Sequence, residues 1–235
     1  MLDFTDRTVL ITGAAGNLGR AVAAAFAHRG ARLVLVDLDA AGLDDAYPGE
    51  QDDRMKSAVD LLQPNALGEA VMTARQRFGS LDVLAALAGG FHMGEPVHKL
   101  PPAAWDRMLD LNARTLLNTV DAVVPEMLHH GAGKIVTVGA NAARQGQANM
   151  SAYIVAKSAV IRLTESLSAE LRDKGINVNC VLPSIIDTPE NRGAMPDADP
   201  AKWVAPAKLA GVILFLASDE ASAIHGASVP VVGLS

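Results

Sequence analysis

The chain has 235 residues, with 26 acidic and 20 basic side chains for a formal charge of −6; half of its residues are hydrophobic and only 4% aromatic. That length buries one large core, as a single α/β domain or two small ones, and mild acidity without a basic block argues against nucleic acid or a membrane surface as partner. One cysteine, Cys180, excludes an internal disulfide framework, while the absence of a cationic-then-apolar leader and of a bilayer-length apolar run leads us to expect a cytoplasmic protein.

Short aliphatic or β-branched runs alternate with segments of helical period. Thr8–Ile11, Arg32–Val36, Met55–Val59, Val83–Leu87, Lys134–Val138, Asn177–Leu182 and Ser228–Val232 read as buried strands. The helices expected between them are Asn17–Arg29, Pro64–Phe78, Ala103–His130, Ser151–Lys174 and Ala207–Ala217, with Pro125 kinking or breaking the third. Seven strands with helical crossovers predict an α/β, single-domain Rossmann fold over residues 1–235. Its seven-stranded parallel sheet has the order 3-2-1-4-5-6-7 and helices on both faces. Pro183–Pro206 breaks the rhythm with five prolines, and a connection of that length predicts a lid, placed at 184–203.

The run Thr8–Gly19 combines a strand, a glycine turn and a helix start. Gly13 permits the tight turn, Gly16 lets a pyrophosphate approach the backbone, and Gly19 lets the helix pack closely on the strand. The N–H groups of Gly16, Asn17 and Leu18 at the helix N-terminus then form an anion site. Asp37 ends the second strand, 18 residues beyond Gly19, where a carboxylate meets the ribose hydroxyls of a dinucleotide. It accepts hydrogen bonds from a free 2′-OH and repels a 2′-phosphate, and no Arg or Lys stands within the turn or just after Asp37. The expected cofactor is therefore NAD rather than NADP. Asp60, after the third strand, is positioned to approach the adenine.

Tyr153 and Lys157 stand four residues apart, on one face of a predicted helix. An ammonium there favours the phenolate and so is expected to lower the tyrosine's pKa. Such a phenol can exchange a proton with an oxygen while hydride moves at the adjacent carbon.

Taken with Thr12–Gly19, Asp37, Asp60, Ala88-Gly89, Asn112 and Leu182–Thr188, these residues resemble the short-chain dehydrogenase/reductase family over essentially the whole chain. The resemblance implies Tyr153 as acid/base, Lys157 as its electrostatic partner and a nicotinamide-ribose ligand, and Asn112 as holder of a proton-relay water. It also implies that the Ile186 backbone and Thr188 contact the nicotinamide carboxamide. The cofactor-binding set is thus Gly13, Gly16, Asn17, Leu18, Gly19, Asp37, Asp60, Ala88, Gly89, Tyr153, Lys157, Pro183, Ile186 and Thr188, with no metal.

Three departures stand out. The glycines are spaced Gly-x-x-Gly-x-x-Gly, the motif after strand four reads Ala86-Leu87-Ala88-Gly89, and the family's catalytic serine falls on Ala140. Losing one such donor costs about 2.7–4 kcal/mol in an enzyme that depends on it. These features, with Asp187–Asp199 and Trp203, are similar to the dihydropteridine reductase branch, although Asn112 is retained here. The reading is an NAD(H)-dependent oxidoreductase acting on a small polar substrate. Its alternatives are reduction of a quinonoid pterin and a nucleotide-binding protein with little turnover. His92 after strand four is read as a loop histidine in water, and Asn141 is a candidate to swing its amide into the place of the missing serine. Family resemblance further suggests a homodimer or homotetramer built on Ala103–His130 and Ser151–Lys174.

Overall fold

Alternation along the strands decides how the layers form. In β1 (Thr8–Thr12) all five residues are buried; Leu10 belongs to one face of the sheet, Val9 and Ile11 to the other. The same division recurs in β2 (Arg32–Asp37), where Val34 and Val36 oppose Leu33 and Leu35. Strands apolar on both faces need helices on both, and the computed structural model, which describes residues 2–235, supplies them.

With β3 (Arg54–Ala58), β4 (Val83–Ala86), β5 (Gly133–Val138), β6 (Ile176–Pro183) and β7 (Ser228–Val231), the strands form one parallel sheet. Its order is β3-β2-β1-β4-β5-β6-β7, the one expected of a Rossmann fold. One face packs against α3 (Ala66–Phe78), α5 (Thr115–His130) and α6 (Ser151–Leu171), the other against α1 (Asn17–Ala27) and α8 (Pro206–Ala217). The chain is a single-domain Rossmann fold. The order reverses between β1 and β4, and the loops leaving these two strands open a crevice at the carboxyl edge, where such sheets bind ligands.

Four local expectations need correction. The long helix predicted at Ala103–His130 runs unbroken from Pro102 to His130 but is not α-helical throughout: α4 (Pro102–Leu109) passes through a π-helical turn over Asp110–Arg114 into α5. Pro125 does not break α5: it lies on the exposed side, so the carbonyl it deprives of a partner, on exposed Asp121, faces water. Sequence periodicity misses α2 (Ala40–Ala46), a seven-residue helix with Leu43 as its buried residue, started by Asp39, whose carboxylate accepts the Ala41 and Gly42 N–H groups. The Pro183–Pro206 connection is not irregular throughout, because it contains α7 (Pro189–Ala194) and a 3-10 turn at Pro200–Lys202. No helix among the described residues is long and apolar enough to cross a membrane.

Candidate active site

The glycine turn is fixed from several sides. Gly13 has φ +66°, a left-handed conformation that suits glycine, and a Cβ there would lie 3.1 Å from the Ala88 backbone. Gly19 is required by packing: its Cβ would sit 2.2 Å from the Gly13 carbonyl oxygen. Between them the Ala14 N–H donates to the Val36 carbonyl (3.1 Å) and the Ala15 N–H to the Asp37 carboxylate (2.8 Å). The second oxygen of Asp37 accepts the Leu38 N–H at 2.8 Å. Two residues that sequence reasoning overlooked complete the brace. The buried Tyr47 hydroxyl donates to the Ala14 carbonyl at 2.7 Å, and Arg20 Nε donates to the Ala15 carbonyl at 2.6 Å. Arg20 therefore brings to the turn a cation that the spacing around Asp37 did not reveal. Gly16 and Asn17 are exposed at the start of α1 and Leu18 is half-buried. Asp60 accepts the Leu62 N–H (2.9 Å) and the Gln63 amide (3.3 Å), which closes its own turn after β3.

Thr12, at the end of β1, joins this turn to the loop after β4: its hydroxyl oxygen accepts the N–H groups of Leu87 and Ala88, each at 3.1 Å. That loop runs into Gly89. A Cβ on Gly89 would lie 2.7 Å from Asn112 Oδ1 and 3.1 Å from Lys157 Nζ, so only glycine leaves the three groups this close. Asn112 lies in the π turn and is 2% exposed. Its Oδ1 accepts the Gly90 N–H (3.2 Å), while Nδ2 donates to the carbonyls of Gly90 (3.1 Å) and Met108 (2.9 Å). The buried amide is thus fully engaged, and it is no helix-surface asparagine. A small pocket of about 10 Å³ is lined in part by Thr12, Asn112, Thr115, Thr119 and Thr137.

Lys157 Nζ donates to the Val138 carbonyl at 2.9 Å, and burial pushes its pKa down to about 8. Tyr153, one turn earlier on α6, packs with its ring edge-to-face on Phe91, the centroids 4.9 Å apart. Here the electrostatic expectation is overturned: burial pushes the Tyr153 phenol up to about 12. Desolvation of a phenolate dominates, and the ammonium, turned to the Val138 carbonyl and itself desolvated, does not offset it. Ala140 presents a buried methyl group, 3% exposed. Two buried polar atoms in this region, Asn141 Oδ1 and Ser151 Oγ, have no hydrogen-bond partner among the described residues. His92 pairs with Glu95 at 2.9 Å in the loop after β4.

Pro183 ends β6. Beyond it, Ile186 bridges to Val204, and the Thr188 hydroxyl accepts the Asn191 N–H (3.2 Å) as the cap of α7. The structure thus brings Gly89, Asn112 and Lys157 into one cluster, with Tyr153 on the same helix, and gathers Gly13–Gly19 with Asp37 at the neighbouring strand ends. Asp60 remains within its own turn. No group of three or more His, Cys, Asp or Glu positioned to hold a metal occurs among the described residues.

A parallel sheet of this order, with a glycine turn at its reversal and a Tyr/Lys pair on the helix after β5, defines a class of nucleotide-binding α/β oxidoreductases. A family model described as enoyl-(acyl carrier protein) reductase matches residues 13–233. The chain belongs to the short-chain dehydrogenase/reductase family, and it is an oxidoreductase. It is 35% identical to cis-4-hydroxycyclohexanecarboxylate dehydrogenase of Sinomonas cyclohexanicum, covering 98% of this chain and 96% of that one. Among solved structures it resembles carveol dehydrogenase from Mycobacterium avium in complex with NAD (TM-score 0.89, 27% identity, 99% and 98% of the two chains). It also resembles 3-ketoacyl-(acyl-carrier-protein) reductase from Brucella melitensis complexed with NADH (TM-score 0.88, 28% identity, 97% and 98%). The resemblance to the dihydropteridine reductase branch finds no counterpart in these relatives.

Proposed function

We propose that the chain is an NAD(H)-dependent oxidoreductase that moves hydride between nicotinamide and a small polar substrate, with Tyr153 as acid/base. The observation that carries this reading is the convergence of Gly89, Asn112 and Lys157 beside the glycine turn, at spacings that only a glycine permits. The residues present fit a dinucleotide: the Gly13–Gly19 turn opens α1 with exposed residues at its N-terminus, and Asp37 ends the adjacent strand. When bound, the dinucleotide supplies or accepts the hydride at C4 of its nicotinamide. Gly13, Gly16, Asn17, Leu18 and Gly19 would hold its pyrophosphate, Asp37 its adenosine ribose, and Ala88, Gly89, Tyr153, Lys157, Pro183, Ile186 and Thr188 its nicotinamide half. Asp60 would approach the adenine. Two backbone N–H groups hold the Asp37 carboxylate at the end of β2, where it would accept from a free 2′-OH and repel a 2′-phosphate, which supports NAD over NADP; comparing dissociation constants for NADH and NADPH tests this against the nearby Arg20.

The chain's own groups would handle the proton. Tyr153, held neutral by burial, would be the O–H donor to a substrate oxygen, and Lys157, one turn further along α6, would act as its electrostatic partner once the bound ligands draw it from the Val138 carbonyl. Asn112 lines a small pocket shared by threonines and aliphatic side chains, whose size suits about one water; a water held there would be the one the relay needs. The 184–203 segment acts as lid and excludes water. A homodimer or homotetramer through α4–α5 and α6 would cover the exposed Leu117, Leu128 and Val155, and light scattering reads that assembly.

One observation favours a second substrate reading. The buried Ala140 methyl removes the serine donor that polarises a carbonyl, and a quinonoid pterin, with its conjugated imine-type acceptor, needs less polarisation. A single screen separates the cases: NADH oxidation over ketones, quinones and quinonoid pterins, with NAD+ reduction by ring alcohols such as those in the relatives' names. Turnover of any one class identifies the substrate. Tight NADH binding with no turnover of any acceptor or donor would overturn the enzymatic reading for a nucleotide-binding one.

A further inference from the structure

We propose that Glu190, held by Asn17, latches the 184–203 segment across the nucleotide end of the free protein and must yield when a dinucleotide's pyrophosphate arrives. The inference rests on the cofactor reading above and adds to it a competition within the chain itself. Asn17 is the first residue of α1, and Glu190 follows Pro189 in the first turn of α7. Though 173 positions apart, they meet: Asn17 Nδ2 donates to Glu190 Oε2 at 2.8 Å. Among the described residues this is the side-chain hydrogen bond that ties α7 to the helix carrying the anion site.

The ends of the segment are anchored to the C-terminal residues, Ser184 Oγ donating to the Val232 carbonyl (2.9 Å) and the Lys202 carbonyl accepting the Leu234 N–H (2.9 Å), while the other side-chain hydrogen bonds around α7 are local. Arg192 donates twice to Asp187 (2.6 and 2.8 Å), Asn191 donates to the Ile186 carbonyl (2.8 Å), and Thr188 caps the helix. Breaking the latch therefore frees the α7 part of the segment without unravelling it, between ends that stay anchored at Ser184 and at the Ile186–Val204 bridge. The carboxyl of Glu190 is held below its ordinary pKa by its own backbone N–H, the Thr188 hydroxyl and then Asn17, so it is ionised at neutral pH. Negative charge is favoured at the N-terminus of α1, which is the reason a pyrophosphate binds there too. Two anions of the same sign compete for one end of a helix, and the observed affinity for the dinucleotide falls by the fraction of molecules left unlatched.

Glu190→Gln keeps an oxygen that can accept from Asn17 but removes the charge, and the exposed position leaves folding unaffected. Titration of wild type, Glu190→Gln and Glu165→Gln (an α6 surface carboxylate paired with Arg162) with NADH, followed by its fluorescence, tests the latch. The expected result is a dissociation constant three- to tenfold lower for Glu190→Gln alone, with the gain shrinking as salt is added. ADP-ribose should show the same gain and adenosine, which lacks phosphate, none. Wild type binding NADH with Glu190→Gln no tighter would overturn the latch and leave the cofactor reading standing. If neither protein binds NADH, both are overturned together.

Discussion

The two ends of the crevice are built by opposite means. At the glycine turn, both backbone polar groups of Ala14 and of Ala15 are satisfied, by Val36, Tyr47, Asp37 and Arg20, and the backbone is fixed before any ligand arrives. At the tyrosine end, Asn112 apart, hydrogen bonds are few. Lys157 is held by one carbonyl, Tyr153 by ring packing on Phe91, and Asn141 Oδ1 and Ser151 Oγ are buried without partners. One end is organised by saturation. The other holds desolvated groups whose pKa values are displaced, the usual condition of side chains that exchange protons.

The sharpest way to break this contrast is Tyr153→Phe. If the desolvated phenol is the acid/base, kcat falls by about 10²–10⁴-fold, far more than any change in NADH affinity. Full activity in the variant would remove Tyr153 from the mechanism. Next in size is Gly19→Ala. Its methyl would meet the Gly13 carbonyl at 2.2 Å and the Ala14 carbonyl at 2.6 Å, both backbone atoms that cannot step aside. A loss of about 3 kcal/mol of unfolding free energy is expected in denaturant titration, with NADH binding lost as well. A variant as stable as wild type would show that the saturated end is softer than its hydrogen bonds imply.

The same contrast explains what was legible in the sequence. The glycine turn, the alternating strands and the Tyr/Lys pair are local patterns, within seven residues or along one helix, and spacing alone exposes them. What stayed hidden depends on distant partners: the Tyr47 hydroxyl on Ala14, Thr12 on Leu87 and Ala88, and Arg20 folded back on its own turn. Helix α2 was invisible because seven residues with Gly42 inside and one buried side chain carry no periodicity; the Asp39 cap was its only local signal. The pKa of Tyr153 could not be read from Lys157 four residues away, since burial is a property of the packed molecule and here it outweighs the neighbouring charge.

Lys157 gives a smaller effect of definite sign. Its pKa is about 8 in the folded protein against an ordinary 10.5, so between these values the unfolded chain binds the extra proton. Stability contributed by this residue therefore rises from pH 8 towards 10, by about 2 kcal/mol, and is not present below pH 8. Raised pKa values at Cys180 and, above pH 10, at Tyr153 and Tyr47 act in the opposite direction, while Lys134 acts in the same one. The test is consequently a difference: denaturation of wild type and Lys157→Met at pH 7.5, 8.5 and 9.5, where the gap should narrow or reverse against the variant as pH rises. A gap independent of pH would mean that the ammonium is not desolvated, and the tyrosine end would lose half of its distinction.

Tyr47→Phe probes the saturated end most gently. The variant keeps the buried ring and the Arg54 guanidinium stacked 5.6 Å from it, and deletes only the hydrogen bond to the Ala14 carbonyl. Because Ala14 is itself buried, that carbonyl is left without a donor, and the expected cost is about 1–2 kcal/mol of stability. Activity should move differently: kcat unchanged, KM for NADH raised a few-fold, as the turn loses one of its four braces. A fall in kcat with KM unaltered would show instead that the two ends are mechanically coupled, through Thr12 and the loop it holds, and that the division between a saturated end and a desolvated end is one of side-chain chemistry alone.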